Sequence, residues 1–364
     1  MNIKRSHRRI GSAVGSLTAA AAVATGTCGS TAAAGAGRRQ LETPSLVRVA
    51  AIVPRSATST LDAAGVRRLG RLRWRGGDYR AADGTVSVSV SAAYASDPGA
   101  AQRWADFFAS LVHGSELALL RAYVAPLDEV QAICGGDGNV LGCYGANRLV
   151  TVGDASGGIP PESVAAHEYG HHVANNRLNP PWIAVNWGTK RWASDMNICE
   201  RAAGGTAYPG AEDARYTLNP GEGFAESYRV LNETLAGGPV PWEIVDNSFR
   251  PDAAALEAIR EDVLQPWSTR TTRTIHGRFA RGRITWTLAL AAPLDGTLSL
   301  ELGTGSDGLK LLDARTHQIL GRGAWTQTGG KSLDYQVCGL RSLVVSVTRS
   351  GRGPRTFSLR ISAP

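Results

Sequence analysis

The sequence predicts an α+β chain that ends in a small antiparallel β-sandwich. Two observations carry this. Up to about residue 267, segments of period-two alternation are interspersed with segments of helical spacing. From about 272 onward only short alternating runs remain, spaced roughly every ten residues. Four units follow: a leader with low-complexity sequence at 1–37, an N-terminal segment at 38–83, a principal domain at 84–267 and the sandwich at 272–364.

The leader begins with Lys4, Arg5, Arg8 and Arg9, continues in an alanine-rich apolar run and ends in small residues near Ala32–Ala36. That is the layout of a bacterial-type secretory signal, so a secreted, extracellular protein is expected. Thr27 before Cys28 does not match a lipid-attachment signal. The formal charge is +8, and those four cations supply half of it. No Lys/Arg run resembles a nucleic-acid patch, so no nucleic-acid partner is expected. No later segment reaches the ~20 apolar residues of a membrane helix. A monomer that does not span the membrane is expected. Four cysteines remain after Cys28, an even number that suits two disulfides in an exported chain. Cys134 and Cys143 bracket GGDGNVLG, which leaves Cys199 with Cys338, although four cysteines allow three connectivities.

Residues 38–83 are a propeptide or the first strands of the domain that follows. GTVSVSVSAAY (84–94) alternates as a half-buried strand. AAQRWADFFASLVHG places Trp104, Phe107, Phe108 and Leu111 at helical spacing and stops at glycine. LALLRAYVAPL reads as a strand, the cysteine loop follows, and RLVTVGD reads as a short strand. GGIPPESVAAHEYGHHVANN then opens a helix at Pro160-Pro161 with Glu162, and closes it near the asparagines at 175.

That helix holds three of the chain's seven histidines. His167 and His171 are four apart and project from one face. Two imidazoles so placed can hold one zinc ion, and Glu168 can act on a water there as general base. Gly170 between them lets another segment approach closely. His172 points elsewhere, to the surface or to a place supporting the ligands. A catalytic zinc usually takes three protein ligands, so a third is expected downstream. The best candidates lie in YTLNPGEGFAESYRVLNE (216–233), a helix capped by Asn219 and opened by Pro220. Glu222 and Glu226 stand one turn apart on one face of it. Glu222 is also three residues after Asn219, where it would complete a capping box, and Glu226 three before Arg229.

HEYGH followed some fifty residues later by EGFAE resembles the gluzincin metallopeptidases, locally the catalytic domains of anthrax-lethal-factor-like enzymes. The resemblance covers about 160–235. It implies a zincin-like domain and makes Glu222 the third zinc ligand, with Glu226 supporting a ligand histidine. It also implies a tyrosine whose hydroxyl stabilises the transition state. Tyr216 is near that position, with Tyr208 as the fallback. In such enzymes a strand before the metal helix borders the cleft and an extended peptide pairs with its edge; here that strand is Leu149, Val150, Thr151 and Val152. The sandwich resembles the pre-peptidase C-terminal domains of secreted bacterial proteases, which implies attachment to substrate or surface. The function expected is a secreted zinc endopeptidase acting on a protein or peptide. The alternatives are a zinc-stabilised, noncatalytic surface or binding protein, and a zinc hydrolase of a non-peptide amide such as a cell-wall crosslink.

Overall fold

The computed structural model describes residues 59–135, 140–237, 240–242, 244–303, 308–349 and 355–364. The expected leader with Cys28, residues 38–58 and the middle of the Cys134–Cys143 loop lie outside the described residues.

The first part of the chain builds a six-stranded mixed sheet with helices on both faces. Its elements are β1 (Ser59–Thr60), α1 (Ala63–Leu69), β2 (Trp74–Ala81), β3 (Gly84–Ser91), α2 (Ala100–Ser110), β4 (Arg121–Ala125), α3 (Leu127–Cys134), β5 (Gly142–Gly145) and β6 (Arg148–Val152). The helical part follows as α4 (Pro161–Asn175), α5 (Ala184–Trp187), α6 (Lys190–Asp195), α7 (Ile198–Ala203), α8 (Pro220–Leu235) and α9 (Ala253–Leu264). The sheet order is β1-β5-β6-β4-β3-β2. β2 pairs with β3 along its whole length, so residues 59–83 supply first strands of this sheet. The domain boundary expected at 84 therefore falls inside a hairpin.

Two readings of the sequence change. LALLRAYVAPL splits into a 3-10 turn at Ser115–Leu119 and β4. The cause is Glu116, buried at 1% exposure, whose carboxylate accepts from Gly114 N and pairs with Arg177. The stretch between the strand and the cysteine loop is α3, which starts after Pro126 with Asp128 and Glu129 in its first turn.

The expected cleft strand is also displaced. β6 lies between β5 and β4, and its backbone is paired on both sides. Leu149 and Val150 are fully buried on opposite faces, Leu149 with Tyr169 and Trp104, Val150 with Ile133 and Val152. Leu149–Val152 thus offers a peptide no free edge. The strand outside it is β5, whose other edge carries the two-residue β1.

α4 is the buried axis of this unit, with thirteen of its fifteen residues in the interior. It crosses α8 where a Cβ on Gly170 would lie 2.7 Å from Ala225 Cα and 3.0 Å from its carbonyl oxygen. Tyr169 stacks on Phe108 and Tyr228 to fill the space beside that crossing.

The C-terminal part is built of two antiparallel sheets around one core. Its strands are β7 (Thr271–Arg278), β8 (Thr285–Ala291), β9 (Gly296–Leu302), β10 (Gly308–Asp313), β11 (Ile319–Arg322), β12 (Ala324–Trp325), β13 (Lys331–Val337), β14 (Ser342–Thr348) and β15 (Thr356–Ala363). One sheet runs β11-β10-β14-β8 and the other β12-β13-β9-β15-β7. Leu298, Leu300, Leu311, Val345 and Leu359 meet between them. A polar seam joins this part to the helices. Asp295 N donates to Ser194 Oγ at 2.9 Å, Arg341 donates to Ser194 O at 2.6 Å, and the Cys199–Cys338 disulfide closes it. The Cys134–Cys143 disulfide ties the end of α3 to β5, so both expected pairings are present. They suit an oxidising compartment. Among the described residues no helix is long and apolar enough to cross a membrane.

Gly170→Ala tests the helix crossing. Alanine improves helix propensity by about 1 kcal/mol. The clash with the Ala225 backbone opposes it, and overpacking costs about 1–3 kcal/mol or more. The net expectation is a lower urea midpoint; an unchanged or raised midpoint would contradict the close crossing.

Candidate metal centre

His167 and His171 leave α4 one turn apart toward α8. Glu222 stands in the first turn of α8, where Asn219 Oδ1 accepts from Gly221 N and Pro220 opens the helix. The crossing at Gly170 brings these side chains together. Glu222 Oε2 lies 3.2 Å from His167 Nε2 and 3.3 Å from His171 Nε2. One donor atom from each of the three residues falls within 4.8 Å of the others, and all three residues are buried. A His-His-Glu group of this kind can hold a metal ion.

Glu226 takes the other side of His167. Its Oε2 is 3.1 Å from His167 Nδ1, so the ring is addressed by a carboxylate at each nitrogen. The geometry separates the two glutamates: Glu222 converges with the Nε2 atoms, and Glu226 orients the ring from behind. Arg229 holds Glu226 through two hydrogen bonds, of 3.0 and 2.5 Å, and reaches Glu233 at 2.6 Å. Glu233 in turn accepts from Ser163 Oγ at 2.7 Å. The i,i+3 spacing to Arg229 and the partnership with a histidine are both realised.

Charge follows from this arrangement. Burial opposes the ionised form of Glu226, but Arg229 and His167 outweigh it and bring its pKa to about 2. Burial likewise opposes an ionised Glu222, and His171 and His167 hold it well below the carboxylate range. Burial would depress His167, yet Glu222 and Glu226 raise it to about 10. Glu168 has no such partner. Its residue is fully buried, neither carboxylate oxygen has a hydrogen-bond partner among the described residues, and burial lifts its pKa well above the usual range. It sits against β5, where a Cβ on Gly142 would come within 2.7 Å of Oε1. Only glycine leaves room there.

Tyr216 comes into the centre from the 3-10 turn before α8, and its hydroxyl donates to Glu222 Oε2 at 2.7 Å. Tyr208 does not; its hydroxyl donates to Gly205 O. His172 is neither at the surface nor against the ligands. It is fully buried, 2.8 Å from Glu116 O and 3.1 Å from the Tyr144 hydroxyl. Burial lowers its pKa to about 4, so the neutral ring donates from Nε2 to the carbonyl and accepts at Nδ1.

A cavity of about 250 Å³ opens beside His171 and Glu222. Tyr144, Gly145, Asn175, Asn186 and Glu212 help to line it, as do Thr60 and Leu61. Partial burial of the Glu212 carboxyl in this wall, then Glu222, raise its pKa to about 7. Sequence reasoning missed Gly142 and Glu212. Gly142 sits in a stretch read only as a flexible loop, and Glu212 in an irregular segment with no period to mark it.

No family model matches this sequence, and no curated protein matches it. Among solved structures, the crystal structure of the pre-peptidase C-terminal domain of a collagenase from Bacillus anthracis matches with 14% identity. It covers 26% of this chain and 89% of that one, at a TM-score of 0.20. At that score the likeness carries no argument about fold or function.

Two outcomes test the centre. Glu222→Ala removes a donor, while Glu226→Ala removes only the group behind His167. Metal affinity by chelator competition is expected to fall about 10–100-fold for Glu226→Ala and further for Glu222→Ala. The reverse order would exchange their roles. A metal at Nε2 must also displace the proton that His167 otherwise keeps up to a pH of about 10. Binding therefore releases a proton and strengthens as pH rises, by about tenfold per unit for one proton. Affinity that is flat between pH 6 and 8 would contradict this.

Proposed function

We propose that this protein is a secreted zinc-dependent endopeptidase of the gluzincin type, with a zincin-like domain at residues 59–267. One observation carries the reading. The buried His167–His171–Glu222 group stands beside Glu168, whose carboxylate has no hydrogen-bond partner among the described residues. A purely structural metal site has no use for such a group and usually fills its fourth position with Cys or His. Zinc, once bound, supplies a Lewis acid and lowers the pKa of a water molecule.

The residues of the chain do the rest. Glu222 and the two histidines would hold the ion, Glu226 keeps the His167 Nδ1–H oriented, and Arg229 keeps Glu226 in place. Glu168 is the general base. Its desolvated carboxylate is more basic than an exposed one, and it takes the proton from the attacking water. As the carbon–oxygen bond forms and the carbon–nitrogen bond breaks, Glu168 passes that proton to the leaving amine. Tyr216 steadies Glu222 at rest, and its hydroxyl is the donor assigned to the developing oxyanion. The substrate backbone runs through the cleft between the end of β5 and the wall of Asn175, Asn186 and Glu212, since β6 is interior. The two disulfides support an extracellular setting.

The test is zinc content together with cleavage of an unfolded protein such as casein, on the wild-type chain and on Glu168→Gln. One zinc in each is expected, with cleavage reduced at least about 100-fold in the variant. Zinc in both without cleavage in either would replace this reading by a non-peptide amide hydrolase or a binding protein. Cleavage that persists in the variant would remove Glu168 from its role.

A further inference from the structure

The cleft holds one acid that the metal centre does not use. Glu212 lies in the irregular segment ahead of Tyr216 and lines the same cavity as His171 and Glu222. It is outside the three-residue donor group. It caps no helix of the described chain and belongs to no hydrophobic core. Its one side-chain hydrogen bond among the described residues comes from Thr60 Oγ1, at 3.2 Å. Among the described residues no lysine or arginine lines the cavity; beyond His171 and Glu222 of the donor group, the other polar side chains of its wall are those of Thr60, Tyr144, Asn175, Asn186 and Asn219. The adjacent acid is treated differently, since Asp213 pairs with Arg215 at 3.0 Å. A carboxylate set in a cleft wall near a second carboxylate, with no lysine or arginine of the described wall beside it, has little to offset its charge.

We propose that Glu212 is a specificity-determining residue that receives a cationic group, an ammonium or a guanidinium, of the molecule bound in the metal cleft. Taking that molecule to be a peptide rests on the peptidase reading above. Two sources offer the same chemistry: a Lys or Arg side chain next to the bond that is cut, and the α-amino group of a short peptide. Thr60, at the end of β1, now donates to Glu212 the hydrogen bond that the cation would supply. A charge-assisted contact in a partly desolvated cleft discriminates by about ten- to a hundredfold.

The experiment uses the zinc-loaded full chain and fluorescent peptides identical except for Lys, norleucine or Glu at one position. Each is made with a free and with an acetylated N-terminus. Binding is read by anisotropy and cleavage in parallel, for wild type, Glu212→Gln and Glu212→Lys. Lysine peptides are expected to bind wild type at least about tenfold more tightly than norleucine peptides. Glu212→Gln should lose that advantage and Glu212→Lys should turn it toward glutamate. An advantage that survives acetylation assigns the side chain as the source; one that moves with the free amine assigns the α-amino group. Equal binding of all peptides by wild type overturns the inference. So does a preference that survives in Glu212→Gln, or a variant whose sole change is lost zinc. Basic peptides that are held but never cut would leave this inference standing and remove the peptidase reading.

Discussion

The candidate metal centre depends on the closeness of two helix backbones. His167 and His171 come from α4 and Glu222 from α8, and their donor atoms meet only because Gly170 lies against the Ala225 backbone. A glycine inside a helix costs about 1 kcal/mol relative to alanine. Here the missing side chain sets the distance between the two helices. The tightness recurs along α8. A Cβ on Gly221 would lie 2.4 Å from Val185 O, and one on Gly223 would meet the Phe249 ring. The helix that carries Glu222 is therefore seated by small residues on several sides.

Around that crossing several buried charged side chains are tied to one another. Glu226 and Arg229 are almost fully buried, and Arg229 continues to Glu233. Behind α4, Glu116 pairs with Arg177 at 2.6 Å, and its backbone carbonyl sets the orientation of His172. Breaking one partner of such a pair leaves a buried charge, at a cost of about 3–5 kcal/mol. The networks thus fix how α4 is rotated as well as where it lies. The rotation matters because it aims His167 and His171 at Glu222 and sends His172 away. Glu168 is the exception to this pairing, and that contrast is what gives the site its chemical reading.

The sandwich meets the helical part at a seam of specific polar contacts. Lys190, at 1% exposure, donates to Pro180 O at 2.8 Å and lies over the rings of Trp182 and Trp267. Burial lowers its pKa to about 8, against the pull of Asp295 and Asp262. Asp295 comes from the sandwich and Asp262 from α9, so one lysine senses both sides of the seam. The Cys199–Cys338 bridge adds a covalent tie across 139 residues of sequence.

Much of this was legible in the chain alone. The i,i+4 spacing of His167 and His171 follows from the helical period, and so does the separation of Glu222 from Glu226. Asn219-Pro220 announced the start of α8, and alternating runs announced five of the nine strands that the described residues form in the sandwich. The two disulfide pairings were expected from loop proximity alone, with three connectivities open, and both are present. Other features could not be read, because they depend on which elements become neighbours. Period-two alternation marks a strand but not its place in a sheet, so Leu149–Val152 looked like a cleft edge until pairing on both sides made it interior. A buried glutamate bent the chain at Ser115–Leu119 through partners far away in sequence. His172 differs from His171 by one position, and only packing against Glu116 and Tyr144 decides that it is core. The sequence by itself determined the donor types and their spacing, since those are local consequences of helix geometry. Tertiary structure alone decided which glutamate meets the Nε2 atoms, which strand borders the cleft and that Glu212 faces it, since each is a contact between segments that no local period can specify.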